Sequence, residues 1–262
     1  MSPRLASRTH KVTSGIPAQR GANANEPTGA EQRTARIMGG WFLATFVFSI
    51  PALWFYDPVL HDTGYVLGGG ADTRVALGAV CEILTAVAGI ATAVVIFPIA
   101  KRVSESVALG YVASRTLEST VIVSGVVSLM AVLGLRQDLA GTGGANASLV
   151  AVGRGLVAFH DQTFLLGPQF CAGIGNGILL GYLMWRSGLV PRGMAMIGLV
   201  GGPLAVLGGV GVLLDLWADP STVLFLFTAA EIVWEFSLSI YLLVRGFRPS
   251  PVLSGRPVVA GG

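Results

Sequence analysis

Six stretches of the chain are apolar almost without interruption: about residues 37–56, 76–100, 107–135, 160–185, 194–214 and 222–244. Each reaches the roughly 20 helical residues that a bilayer crossing needs. Charged and turn-forming residues gather between them, as at Lys101-Arg102, Arg186-Ser187-Gly188 and Asp219-Pro220. This pattern predicts an all-α fold, a polytopic transmembrane bundle of six helices over residues 37–248. Trp41, Trp54 and Tyr56 sit near the ends of the first run, where amphipathic rings suit the interface. The third run has 29 residues, so it must tilt or protrude. Residues 136–157 form the longest internal connection, with a short helix expected around 149–159.

Composition agrees with a membrane class. Of 262 residues 53% are hydrophobic and only 12% charged, and the mean hydropathy is +0.70. Soluble domains carry about 25% charged residues. Residues 1–36 stand apart, with Arg4, Arg8, Lys11, Arg20, Arg33 and Arg36 among Pro, Gly, Ser and Asn. They are expected to form a disordered basic tail whose charge can meet anionic lipid headgroups. The positives are dispersed and not interleaved with aromatics, so no nucleic-acid partner is expected. Residues 249–262 are rich in Pro and Gly and are expected to be a flexible tail.

The basic residues also set an orientation. Thirteen of the 17 lysines and arginines fall on one side of the six-span path and three on the other; the last, Arg115, lies within a span. The richer side is cytoplasmic by the positive-inside rule. Both termini are then expected in the cytoplasm, in a bacterial inner membrane.

Polar residues inside the apolar runs are the candidate chemistry. They are Glu82, Arg115, Glu118, Glu231 and Glu235, with His160, Asp161, Gln169 and Asn176 as secondary polar groups. Ionisable groups at such depth usually face the bundle interior and often mark ion or substrate paths. Arg115 and Glu118 lie one helical turn apart on one face. At 1.5 Å per residue Arg115 lies about 12 Å deep, Glu118 about 17 Å and Glu235 about 14 Å from the cytoplasmic end. Arg115 is therefore expected to bridge Glu118 and Glu235. One arginine cannot neutralise every glutamate, so at least one of Glu82 and Glu231 is expected to be protonated or solvated. His160-Asp161 reads as an interfacial polar pair at the outer end of the fourth run. Gly173, Gly177 and Gly181 repeat every four residues and clear one helix face for close packing.

Other chemistries lack their residues. Cys81 and Cys171 form no C-x-x-C pair and read as small buried hydrophobes. His10, His61 and His160 are not spaced to share a metal or a haem, so no metal and no cofactor is expected. Neither H-E-x-x-H nor G-x-S-x-G occurs, and the serines of the third run have no histidine base beside them in sequence. No catalytic residue is assigned.

Two longer motifs bear a resemblance. They are Ala108-Leu109-Gly110-Tyr111-Val112-Ala113-Ser114-Arg115-Thr116-Leu117-Glu118 and Gly181-Tyr182-Leu183-Met184-Trp185-Arg186-Ser187-Gly188-Leu189-Val190-Pro191-Arg192. Together with Glu82 and the Glu231/Glu235 run ending Leu242-Leu243-Val244-Arg245-Gly246-Phe247, the chain resembles the bacterial domain-of-unknown-function family 4386. The likeness covers roughly residues 33–248. It implies a six-span integral membrane protein and no particular activity. Three functional classes stand ahead of a fourth, an intramembrane enzyme, for which the sequence offers the fewest residues. The cluster is a structural network that fixes helix packing, or it serves transport, proton relay or small-ligand binding. In the third class the protein is a sensor or assembly partner that works through its tail.

Overall fold

A computed structural model describes residues 25–62, 64–68, 71–139 and 147–254. The described residues form helices and turns and no strand. The helices are α1 (Gly29–His61), α2 (Asp72–Ala100), α3 (Glu105–Leu139), α4 (Ala147–Phe164), α5 (Gly181–Ser187), α6 (Arg192–Leu213) and α7 (Thr222–Val244). Two π-helical segments, Leu165–Cys171 and Gly173–Leu180, join α4 to α5. The stretch Ala147–Ser187 is thus one continuous rod of 41 residues. With it, six helices among the described residues are long and apolar enough to cross a membrane.

Helix α1 packs on α2 and α7, α3 lies between α2 and the π-helical rod, and α6 joins the rod to α7. Two apolar cores follow. One holds Met38, Phe42, Ile96, Leu183, Trp234 and Leu242 near the described termini. The other holds Tyr56, Val75, Val126 and Leu129 near the opposite end. On α2 Glu82 and Thr92, and on α3 Arg115, Glu118 and Ser119, fall between the two sets, while buried Ser128 and Arg136 of α3 lie at the second core. The outer surface is apolar as well, with Val127, Leu207 and Phe225 exposed. That face suits lipid and not water.

Three boundaries differ from the sequence expectation. Helix α1 begins at Gly29, so residues 29–36 are helical where a tail was expected. Thr28 and Glu31 form a reciprocal capping box, which satisfies two of the orphan amides of the first turn. Residues 1–24 of that tail lie outside the described residues. Helix α4 begins at Ala147, so the expected short helix is the first half of the fourth span. Residues 249–254 are docked: Ser250 N–H donates to the Asn25 carbonyl at 2.8 Å and its hydroxyl to the Ser187 carbonyl at 2.5 Å. Val252 and Leu253 complete the first core. Gln32 donates to the Phe247 carbonyl at 2.9 Å and accepts from the Phe247 amide at 3.0 Å. Both ends of the described chain therefore lie on one face of the bundle.

Candidate functional site

Arg115 and Glu118 project from α3 into the layer between the two cores. Arg115 Nη1 meets Glu118 Oε2 at 2.6 Å, and both residues are buried. Arg115 Nε donates to the Gly89 carbonyl of α2 at 3.2 Å. Gly89 has no side chain, and a Cβ there would stand 2.7 Å from Arg115 Nη2. The glycine is therefore what admits the guanidinium. One turn on, Ser119 donates to the Ala86 carbonyl at 2.8 Å and fastens α3 to α2 again.

The expected bridge from Arg115 to Glu235 is not formed. No Arg115–Glu235 ion pair falls within 4 Å among the described residues. Asn176 takes that place: its Nδ2 donates to Glu235 Oε1 at 2.5 Å. The Asn176 carbonyl accepts from Trp234 Nε1 at 2.9 Å and from the Gly181 amide five residues on. Equal depth along two helices does not set the direction in which their side chains point. Here the π-wound segment supplies the partner of the α7 carboxylate.

Unpartnered oxygens beside this pair belong to Asn176, through its Oδ1 alone, and to Glu231. Glu231 is 4% exposed, and neither carboxylate oxygen has a hydrogen-bond partner. Its Oε2 lies against Gly177, where a Cβ would approach to 2.6 Å. Gln169 nearby is satisfied, donating to the Ala205 carbonyl at 2.7 Å and to Thr228 Oγ1 at 2.9 Å.

These groups line one wall of a cavity of about 380 Å³. Arg115, Glu118, Gln169, Thr228, Glu231 and Glu235 supply much of its polar surface, with the hydroxyls of Thr45, Ser49 and Thr85. Phe46, Ile50 and Leu53 of α1, Phe164 of α4 and Ile232 of α7 supply much of the apolar surface. Ile50, Leu53, Phe164 and Ile232 are also exposed on the outer face of the bundle. The cavity thus reaches from the buried carboxylates to the side that faces lipid. Its volume falls in the range of about 300–1,000 Å³ typical of small-molecule sites.

Glu82 does not join this cluster. It pairs with His160, Nε2 to Oε1 at 3.4 Å, and the ring of Tyr56 stands edge-on to His160 at 5.5 Å. Tyr56 Oη, Glu82 Oε2 and His160 Nδ1 have no hydrogen-bond partner. The expected interfacial pair His160-Asp161 is thereby corrected. His160 is buried, whereas Asp161 is exposed with its Oδ1 3.7 Å from His160 Nδ1. Because α4 starts well before residue 160, His160 sits inside the bundle and not at its rim. Gly125 of α3 makes room for it, since a Cβ there would lie 3.1 Å from His160 Cδ2.

The three spaced glycines face α6. A Cβ on Gly173 would stand 3.0 Å from the Gly202 carbonyl oxygen, one on Gly177 2.3 Å from Gly202 Cα, and one on Gly181 3.2 Å from the Leu199 amide. Among the described residues no three His, Cys, Asp or Glu side chains group to hold a metal ion. Gly89 and Thr228 are not singled out by the sequence, and Tyr56 reads there as an interfacial ring although it is buried beside His160. Only the small size of Gly89 opposite an intramembrane arginine could have pointed to any of them.

The family model described as "Domain of unknown function (DUF4386)" matches residues 37–246. No curated protein and no solved structure matches the chain.

Proposed function

Because the chain belongs to the DUF4386 family, whose description carries no activity, we propose a function from the site itself: a multi-pass membrane protein that binds a small molecule in its central cavity. The observation that carries this is Glu231. A structural network is complete once its polar groups are paired, and burying an unpaired one costs about 1–3 kcal/mol or more for a charged group. Arg115, paired with Glu118 on its own helix, ties α3 to the Gly89 carbonyl of α2, and Asn176 Nδ2 ties the rod to Glu235, with Asn176 Oδ1 alone left over. Glu231 makes no such tie, and it lines the cavity with both oxygens unpartnered. A ligand that supplies the missing partner offsets the cost. We place the protein in a bacterial inner membrane with both termini cytoplasmic, on the strength of the basic-residue count.

The test is a set of thermal melts of the purified full chain in lipid nanodiscs. A panel of charged and neutral membrane-permeant small molecules is added in turn. A ligand at 100 times its Kd stabilises by about 2.7 kcal/mol, enough to read as a shift of several degrees. At least one compound should shift wild type and not Thr228→Phe, which fills the cavity without adding charge. A panel in which the two proteins respond alike throughout would overturn the reading.

A further inference from the structure

The cavity's own chemistry narrows the ligand class. Its lining carries three carboxylates, Glu118, Glu231 and Glu235, and one cation, Arg115. The guanidinium is occupied by Glu118 at 2.6 Å, and Glu235 takes a hydrogen bond from Asn176 at 2.5 Å. Glu231 is left with no donor. The carboxylates outnumber the cation by two, and Glu231 is the one with no partner at all, so the unmet demand of the site is for positive charge at Glu231.

An inorganic cation fits poorly. Hard ions such as calcium take 6–8 oxygen ligands and magnesium takes an octahedral set. Here Glu231 is the one lining carboxylate without a partner, hydroxyls and one amide supply the neutral side-chain oxygens, and the lining includes the apolar Phe46, Ile50, Leu53, Phe164 and Ile232. Those side chains offer dispersion contacts, and the two aromatic faces can attract an ammonium. Four of the five lining groups just named, all but Phe46, are exposed on the lipid-facing surface.

Resting on the ligand-binding reading above, we propose that the ligand is a lipophilic organic monocation. Its ammonium pairs with Glu231, and its apolar body lies between α1, α4 and α7. It enters sideways from the bilayer past Ile50, Leu53 and Ile232. The alternative within the same cavity is an uncharged ligand held by apolar contact alone, with Glu231 as a bystander.

The experiment compares two probes of nearly one shape. Benzyltrimethylammonium carries the charge, and neopentylbenzene is its uncharged carbon isostere. Binding to the full chain in nanodiscs is measured by equilibrium dialysis, with empty nanodiscs subtracted. Wild type should bind the cation at least ten-fold more tightly than the isostere. Glu231→Gln should lose that preference and keep its affinity for the isostere. Thr228→Phe should lose both. Should Glu231→Gln fail to fold, Phe164→Leu serves instead: it should weaken the cation several-fold and leave the isostere unchanged.

Equal binding of the two probes, both sensitive to Thr228→Phe, would overturn the cation assignment and leave the cavity reading standing. So would cation binding that Glu231→Gln does not weaken. Cation binding that Thr228→Phe leaves intact would place the probe elsewhere and overturn the cation assignment at this cavity. No cation binding to wild type would overturn the inference alone, since the melts above test the cavity independently.

Discussion

The backbones of Gly177 and Gly202 meet directly, so that a Cβ built on Gly177 would stand 2.3 Å from Gly202 Cα. The same Cβ would lie 2.6 Å from Glu231 Oε2. The obstructing atom is main chain, which cannot swing aside as a side-chain tip can. Helix contact at this distance is the use that four-residue glycine spacing serves in membranes.

Gly177→Ala should accordingly destabilise the protein by about 1–3 kcal/mol, the usual range for overpacking. Gly155 provides the control, because nothing lies within 4 Å of a Cβ there. Inside α4 a Gly→Ala change at an open position should stabilise by about 0.5–1 kcal/mol. Thermal melts of both variants in one detergent check this. Similar melting temperatures for the two would remove the contact from the account.

The six spans were legible because hydropathy over 20 residues is insensitive to detail. The intramembrane charges were legible for the same reason: against such a background any ionised residue is conspicuous. Their partners were not. Depth arithmetic places Arg115 and Glu235 level, but it carries no information on azimuth, and Glu235 takes its hydrogen bond from Asn176. The winding of Leu165–Leu180 is set by which carbonyls find i+5 donors within the packed bundle, and composition does not report that. His160 looked terminal because the residues before it, with Arg154 and several glycines, lower a hydropathy window without stopping a helix. Val252 and Leu253 lay unread in a Pro/Gly tail, since two apolar residues make no pattern.

That docked tail gives the second prediction. Val252 is fully buried and Leu253 nearly so. Burying one such side chain is worth about 1.5–3 kcal/mol. Truncation after Arg248 should therefore lower stability by at least about 2 kcal/mol, whereas truncation after Ser254 should not. Chemical denaturation of both truncated chains in detergent measures the difference. An unaffected 1–248 chain would mean that the docking contributes nothing.

Orientation is the third. On a background of Cys81→Ala and Cys171→Ala, single cysteines are introduced at Ala218, between α6 and α7, and at Gly193, at the start of α6. Both positions are exposed. A membrane-impermeant maleimide should label Ala218→Cys in intact cells and Gly193→Cys only after permeabilisation. The opposite pattern would invert the topology.

The last prediction concerns the ion pair itself. Arg115 Nη1 and Glu118 Oε2 are 2.6 Å apart with both side chains buried, so each charge depends on the other for its compensation. Breaking a buried pair by removing one partner costs about 3–5 kcal/mol, because the survivor stays behind uncompensated. Arg115→Met should show this loss, and it also deprives the Gly89 carbonyl of its donor. Adding Glu118→Gln removes the stranded charge and should recover most of the stability. A third change, Glu235→Gln, should add little, because Glu235 takes its hydrogen bond from Asn176 and forms no pair with Arg115 within 4 Å among the described residues. Melting temperatures of the single, double and triple variants separate the cases. A triple variant far more stable than the double would mean that Arg115 does neutralise Glu235 and that the Asn176 hydrogen bond is secondary. If Arg115→Met alone leaves stability unchanged, the guanidinium is compensated by something other than Glu118, and the pairing at the centre of this bundle is wrong.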